Sequence, residues 1–140
     1  MMLITRKFHF SASHRLFDPK LSDEENLKIF GKCSNPNGHG HNYIMDVTIS
    51  GEVEQSTGFV MDLAELKSIV EKHIIEKVDH KNLNIDVDFL KGVLPSTENL
   101  AVRFWEQIES SVITENRKLY SIRLQETVNN SAEYRGKQKE

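Results

Sequence analysis

The sequence predicts an α+β domain in which two helices cover one face of a four-stranded antiparallel sheet. Four segments alternate apolar and polar residues with the period of half-buried strands. Between the second and third of them, two segments repeat apolar residues at helical spacing. The resulting order of strand, strand, helix, helix, strand, strand is typical of the α+β class. The chain has 140 residues, enough to bury one core, and we expect a single domain over residues 1–140.

The first two predicted strands each carry histidine on the face that also carries apolar residues. The first strand runs from Ile4 to His14, and Phe8 and Phe10 share a face with His14. The second runs from His39 to about Glu52 with the same alternation. Because residues two apart point to the same side of a strand, both strands can direct histidines toward the core side.

The last two predicted strands form a hairpin. The segment from Leu119 to Val128 alternates, which places Tyr120 and Glu126 on the apolar face. A carboxylate on that face needs a hydrogen-bonding or charged partner. Asn129-Asn130 predicts a turn into a short returning strand that includes Tyr134.

Capping residues mark where the helices begin. Asp62 is the predicted N-cap of a helix from Leu63 to about Lys77. The run Pro95-Ser96-Thr97-Glu98 opens the second long helix. A short helix is predicted after Ser22, with Glu25 at the capping-box position. For Thr97 and Glu98, a role as helix-start residues is sufficient explanation at this stage.

Composition argues against several classes of protein. The net charge is −3, from 18 basic and 21 acidic residues that are mixed along the chain. No basic stripe suited to a phosphate backbone is present, so we expect no nucleic-acid partner. No apolar stretch approaches the roughly 20 residues of a membrane span, and none has signal-peptide character. We therefore expect a soluble, cytoplasmic protein without a membrane partner.

Three histidines form a candidate metal site. His39 and His41 are separated by one glycine, and His14 lies where the first strand ends. Three imidazoles from two adjacent strands supply the nitrogen set typical of a catalytic zinc, with a fourth position left open. Without His14, the pair would be better explained as ordinary polar strand residues.

Cys33 is the only cysteine, which excludes an internal disulfide. It lies across the turn Asn35-Pro36-Asn37-Gly38 from the histidine pair. It is either a small buried residue or a reactive thiol, since a nearby cation favours the thiolate. The pair Asp79-His80 also allows two interpretations. His80 is either a cation that is favoured at the end of a helix, or an imidazole that Asp79 orients so that it can relay protons.

Five segments together carry a family resemblance. They are FSASHRL (10–16), LSDEENLKIFGKCSNPNGHGHNY (21–43), VDHKNLN (78–84), PSTENLAV (95–102) and QETVNN (125–130). The chain closely resembles the animal-type 6-pyruvoyl-tetrahydropterin synthases over nearly its whole length. The resemblance implies the tunnelling fold, in which the sheets of three copies close into a barrel and two trimers stack into a homohexamer. It also implies a lyase that converts 7,8-dihydroneopterin triphosphate to 6-pyruvoyl-tetrahydropterin with release of triphosphate, in tetrahydrobiopterin biosynthesis.

The resemblance also assigns the metal and the base. His14, His39 and His41 match the family's Zn²⁺ ligands, and Cys33 matches the base that abstracts a proton from the substrate. The zinc ion would bind the side-chain hydroxyls of the substrate and acidify the neighbouring C–H bonds.

The remaining matches concern proton relay and substrate binding. Asp79 and His80 match relay partners of the base, which in the family come from a neighbouring subunit. Glu126 matches the residue that anchors the pterin through its amino and ring N–H groups, and it is sometimes counted in the relay. The segment Ser96-Thr97-Glu98 matches a lining of the pterin pocket, with serine where the family often has threonine.

Two other functions stay open on the sequence. One is the related 6-carboxy-tetrahydropterin synthase of the 7-deazaguanine pathway, which shares fold, zinc and catalytic triad. The other is a zinc-binding or pterin-binding module without turnover. The motifs do not identify the residues that contact the triphosphate; Arg15, Lys32 and Lys81 are candidates because they flank site residues.

Overall fold

The computed structural model describes residues 1–138, which form a mixed sheet with helices packed on it. The strands are β1 (Met2–His14), β2 (His39–Gly51), β3 (Lys81–Asn82), β4 (Arg117–Thr127) and β5 (Asn130–Tyr134). Their order in the sheet is β3-β1-β2-β4-β5. The four predicted strands are confirmed, since β1, β2, β4 and β5 pair antiparallel in sequence. The prediction missed β3, a two-residue strand that pairs parallel with β1.

Within residues 1–138, four α-helices and three tighter or wider helical turns complete the fold. The helices are α1 (Asp23–Phe30), α2 (Leu63–Val70), α3 (Glu76–Val78) and α4 (Thr97–Val112). A π-helical turn, Glu71–Ile75, joins α2 to α3, so the predicted helix from Leu63 to Lys77 is one helical segment with a wider turn inside it. The 3₁₀ turns are Gly31–Ser34 and Asp88–Leu90. Within residues 1–138, none of the helices combines the length and apolar character that crossing a bilayer requires.

The two predicted N-caps, Ser22 and Asp62, are present, and the structure adds Ser96 as the N-cap of α4. Ser22 and Glu25 form a reciprocal capping box at the start of α1. The side chain of Asp62 accepts a backbone N–H at the start of α2. The side chain of Ser96 does the same for α4. These caps fix where each helix begins, and the cap of α4 therefore also fixes Thr97 in its first turn.

The hydrophobic core lies between one face of the sheet and the helices. The rings of Phe10 and Tyr43 stack with centroids 4.7 Å apart, and Phe10 meets Phe104 of α4 edge to face at 5.8 Å. Leu66 and Ile74 of the other helical segment are fully buried in the same cluster. Each such side chain contributes roughly 1.5–3 kcal/mol by leaving water. The core thus holds α4 against the strands that carry the histidines.

The opposite face of the sheet is polar. Lys7 and Asp46 form an ion pair at 2.9 Å, and Arg123 lies 3.9 Å from the same carboxylate. Thr5 and Thr48 share a hydrogen bond of 2.8 Å between their hydroxyls. Because cross-strand pairs satisfy these groups, this face needs no apolar cover.

The phase of β4 differs from the strict alternation that the sequence suggests. Leu119 and Ser121 are buried, whereas Tyr120, predicted on the apolar face, is only half-buried. The pairing with β2 shows the reason: Thr48 lies opposite Ser121, and Ile49 opposite Leu119. Tyr120 is therefore the extra residue of a β-bulge, which shifts the two halves of the strand out of phase.

Candidate active site

The three predicted metal ligands lie together where β1 ends and β2 begins. His14 pairs with His39 across the two strands, and His41 is two residues farther along β2 on the same side. The ring centroids are 4.6 Å apart for His14 and His39, 5.1 Å for His14 and His41, and 4.9 Å for His39 and His41. One ligand nitrogen from each ring lies within 4.8 Å of the other two.

The state of these nitrogens suits a divalent cation. His14 Nδ1 lies 2.8 Å from the carbonyl oxygen of Pro95, which requires that Nδ1 carry the proton and leaves the lone pair on Nε2. Within the described chain, His14 Nε2, His39 Nδ1 and His41 Nε2 are buried without a hydrogen-bond partner. Burial lowers the pKa of both His14 and His41, which favours the neutral, metal-binding form. Buried nitrogens without partners are costly, and a bound metal ion would satisfy them.

Glu126 lies directly beside the imidazoles. Its Oε1 is 3.5 Å from His41 Nε2, and its Oε2 is 4.0 Å from His14 Nε2. Thr97 Oγ1 donates a 2.6 Å hydrogen bond to Oε2. The pairing of β4 with β5 skips Glu126, so the residue sits at a second bulge. Bulges reorient side chains, and this one lies next to the first turn of α4, whose N-terminus favours a carboxylate.

Two groups at the site were not predicted from the sequence. Tyr43 is fully buried, its ring centroid lies 5.6 Å from that of His41, and its hydroxyl has no hydrogen-bond partner among residues 1–138. Burial, reinforced by the negative charge of Glu126, raises the pKa of Tyr43. Its position two residues after His41 was the available signal. The carbonyl of Pro95 carries no sequence signal, because the contact depends on tertiary structure.

Cys33 lies in the 3₁₀ turn Gly31–Ser34 and is half-buried with a free thiol. Its carbonyl oxygen accepts the N–H of Leu16 at 2.9 Å. The turn that follows bends back to β1: Gly38 has φ +74°, and a Cβ there would lie 3.1 Å from the carbonyl oxygen of His14. Glycine is therefore required at this turn, which brings the Cys33 segment close to the end of β1.

Asp79 and His80 form a pair at the edge of the sheet. Asp79 Oδ1 accepts the N–H of Ser11 at 2.9 Å and lies 3.0 Å from His80 Nδ1. The hydrogen bond from Ser11, followed by the interaction with His80, lowers the pKa of Asp79. The His80 side chain is 82% exposed. Among the described residues, no hydrogen bond or ion pair joins this pair to Cys33 or to the three histidines.

The predicted pocket-lining segment divides in its roles. Thr97 contacts Glu126, as described above. Ser96 is the N-cap of α4 and accepts the N–H of Asn99. Glu98 is exposed in the first turn of the helix. The structure therefore brings Thr97 to Glu126. Among residues 1–138, Ser96 and Glu98 make no hydrogen bond or ion pair with the histidines or Glu126.

Comparisons with known proteins identify the family of this chain. The family model described as 6-pyruvoyl tetrahydropterin synthase matches residues 3–137. The human "6-pyruvoyl tetrahydrobiopterin synthase" is 49% identical over 133 residues, covering 95% of this chain and 90% of that protein. The protein of the same name from Pongo abelii is 50% identical over 133 residues, with the same coverage of both chains. The structure of Caenorhabditis elegans 6-pyruvoyl tetrahydropterin synthase superposes with a TM-score of 0.87 at 41% identity, covering 97% of this chain and 96% of that one. The chain therefore belongs to the 6-pyruvoyl tetrahydropterin synthase family.

Proposed function

We propose that this protein is a lyase that converts 7,8-dihydroneopterin triphosphate to 6-pyruvoyl-tetrahydropterin and releases triphosphate, a step of tetrahydrobiopterin biosynthesis. The observation that carries the proposal is the group of three imidazoles with unpartnered nitrogens beside a carboxylate oriented by Thr97. It combines a metal-binding set with an acceptor suited to the planar N–H edge of a pterin.

The metal ion proposed for this site is Zn²⁺, held by His14, His39 and His41. All three offer an imidazole nitrogen, and the single cysteine of the chain excludes the thiolate-rich sets of structural zinc sites. When bound, the ion would polarise the side-chain hydroxyls of the substrate and make the adjacent C–H bonds more acidic.

The chain's own residues would bind the substrate and move its protons. The two oxygens of Glu126 would accept the amino and ring N–H groups of the pterin, while Thr97 holds the carboxylate in place. The Cys33 thiolate would take a proton from a side-chain carbon. When the proton leaves the carbon next to the phosphate-bearing carbon, its electron pair expels triphosphate as the C–O bond breaks, and the resulting enol becomes a ketone with a terminal methyl group. When the proton leaves the carbon attached to the ring, its electron pair moves into the ring C=N bond, which takes up one proton at carbon and one at nitrogen. The hydroxyl on that side-chain carbon loses its proton and becomes the second ketone. No external oxidant or reductant is needed.

A second copy of the chain would complete the proton relay. The Asp79 carboxylate fixes the His80 ring through Nδ1, and that ring is largely exposed at the sheet edge. An exposed, oriented imidazole that, among residues 1–138, makes no hydrogen bond or ion pair with Cys33 or the three histidines fits a role in a neighbouring subunit's site. We propose that copies associate through these edges into a barrel, and that two trimers form a homohexamer. The cytoplasmic location and the absence of a nucleic-acid partner stay predictions from the sequence.

Turnover of the natural triphosphate, with and without chelator, tests the function. We expect 6-pyruvoyl-tetrahydropterin and triphosphate, loss of activity with chelator, and recovery with Zn²⁺. Formation of a carboxy-pterin and acetaldehyde would instead assign the 6-carboxy-tetrahydropterin activity. A Cys33→Ala variant should keep its metal but lose turnover; if the wild type binds a pterin without any turnover, the chain is a binding module.

Mixed oligomers test the relay between subunits. Cys33→Ala and His80→Ala should each be inactive as pure proteins. If His80 acts on a neighbour's Cys33, co-expression of the two variants restores part of the activity, because some interfaces then combine an intact thiol with an intact imidazole. Activity that stays at the level of the separate variants, although mass measurement shows mixed oligomers, would contradict a relay in trans.

A further inference from the structure

Arg15 immediately follows the predicted metal ligand His14, and its side chain is only 17% exposed. Its Nε donates a 2.8 Å hydrogen bond to the carbonyl oxygen of Ser34, the residue after Cys33. Its Nη2 forms a 3.0 Å ion pair with Asp23 of α1. The guanidinium also lies over the Phe17 ring, 3.9 Å from the centroid. Arg15 therefore joins the end of β1 to the turn that carries the thiol.

The backbone around Arg15 is tied down in the same way. The carboxamide of Asn84 accepts the N–H of Arg15 at 2.7 Å and donates to its carbonyl oxygen at 2.9 Å. The next residue, Leu16, donates its N–H to the carbonyl oxygen of Cys33 at 2.9 Å. With both of its peptide groups paired, the residue at position 15 provides a fixed base for the side chain.

We propose that Arg15 is a positioning residue for Cys33, holding the Gly31–Ser34 turn at a fixed place relative to the His14 imidazole. The role rests on the proposed function, in which the thiolate and the histidines act on adjacent atoms of one substrate. A displacement of about 1 Å at a reacting group can cost on the order of 100-fold in rate. The planar guanidinium suits the role because it makes two directed hydrogen bonds and stacks on an aromatic ring at once.

The alternative role for Arg15 is attraction of the substrate triphosphate, and the two roles predict different kinetics. Triphosphate attraction depends on positive charge, so lysine would preserve it and glutamine would raise KM. Positioning depends on the planar geometry of the guanidinium and its directed N–H groups, so both substitutions would lower kcat and leave KM nearly unchanged. The existing contacts with Ser34 and Asp23 favour positioning, since they already occupy donors on Nε and Nη2.

The test compares Arg15→Lys and Arg15→Gln with wild type and with Arg103→Gln. Arg103 is a suitable control because it forms a 3.1 Å ion pair with Glu106 on the surface of α4. We measure zinc content, kcat and KM, and the rate at which iodoacetamide alkylates the thiol in the absence of substrate. Cys33 is the only cysteine, so the alkylation rate reports on that residue alone.

Both Arg15 variants should retain their zinc, lose about tenfold or more in kcat with KM within about twofold, and alkylate severalfold faster as the turn loosens. The Arg103→Gln control should match wild type in all four quantities. Wild-type kcat and alkylation in Arg15→Lys and Arg15→Gln would overturn the proposal, as would an effect confined to KM in Arg15→Gln.

Two further features keep the test decisive. If the Arg15 variants do not fold, Asp23→Asn offers a milder change, because it weakens the ion pair with the Arg15 guanidinium by altering an exposed side chain. This variant should give an alkylation rate between those of wild type and the Arg15 variants. A wild-type rate would count against the proposal. Alkylation requires no turnover. If the wild type fails to convert the triphosphate, the proposed function fails, while the alkylation rates still establish whether Arg15 holds the turn.

Discussion

Replacing His39 by alanine should abolish metal-dependent stabilisation while leaving the fold intact. His39 is half-buried and lies outside the hydrophobic core, so truncating its ring opens no core cavity. The substitution removes one of the three nitrogens that lie within 4.8 Å of one another. The free energy of unfolding of the metal-free protein should therefore change little, whereas metal affinity should fall steeply.

The size of the effect follows from linkage. A ligand at 100 times its dissociation constant stabilises the folded state by about 2.7 kcal/mol if it does not bind the unfolded chain. For a chain of this length, that corresponds to a shift in Tm of about 10 °C. Differential scanning calorimetry with and without chelator measures the shift. The Tm of the wild type should fall by about that amount when the metal is chelated, whereas the Tm of His39→Ala should hardly change.

His9→Ala is the matched control, since His9 is exposed on the same strand as His14 and belongs to no metal cluster among the described residues. It should show the wild-type response to chelator and bind one zinc per chain by elemental analysis. An equal chelator shift in His39→Ala and wild type, or equal zinc content in both, would refute the assignment of the three imidazoles as ligands.

Three further predictions address the neighbouring groups. Thr97→Val removes the hydroxyl that donates a hydrogen bond to Glu126. Because such a charge-assisted hydrogen bond is worth roughly 1.5–3 kcal/mol, kcat/KM should fall about tenfold or more. An unchanged kcat/KM would show that the carboxylate needs no support from Thr97. Tyr43→Phe removes a buried hydroxyl that has no hydrogen-bond partner among residues 1–138, so the urea midpoint should stay the same or rise; a marked drop would mean that the hydroxyl is satisfied in solution. The pKa of Asp79 is lowered in the folded state, chiefly by the N–H of Ser11, so its contribution to stability is complete above the ordinary value of 3.8 and is lost as the pH falls through the lowered pKa. The stability difference between wild type and Asp79→Asn, followed by urea unfolding, should therefore shrink below about pH 4, and a difference independent of pH would contradict this.

Most of the fold that could be predicted from the sequence followed from the alternation within the strands and from the residues that cap the helices. Side chains two apart on a strand share a face whatever the rest of the chain does, so the convergence of His39 and His41 required only that the segment be a strand. Caps such as Ser22 and Asp62 act within a few residues, and they too were readable locally. The grouping of the histidines in space follows from the pairing of His14 with His39.

Features that depend on contacts distant in sequence were missed. The bulge at Tyr120 arises from its pairing with β2, and nothing in the alternation of β4 marks where the phase changes. The strand β3 consists of two residues, too few for any periodicity, and exists because β1 offers a free edge. The triphosphate hypothesis for Arg15 used its position beside His14, which did not disclose the contact of its side chain with Ser34.

The hydrogen bond between His14 and Pro95 has a consequence for how this site tolerates mutation. The acceptor is a main-chain carbonyl, and every amino acid has one. No exchange at position 95 can delete the oxygen that selects the tautomer of His14; it can only move it by bending the approach to α4. Variants there should alter the tightness of metal retention by degrees, in contrast to the abrupt loss expected when a ligand itself is replaced.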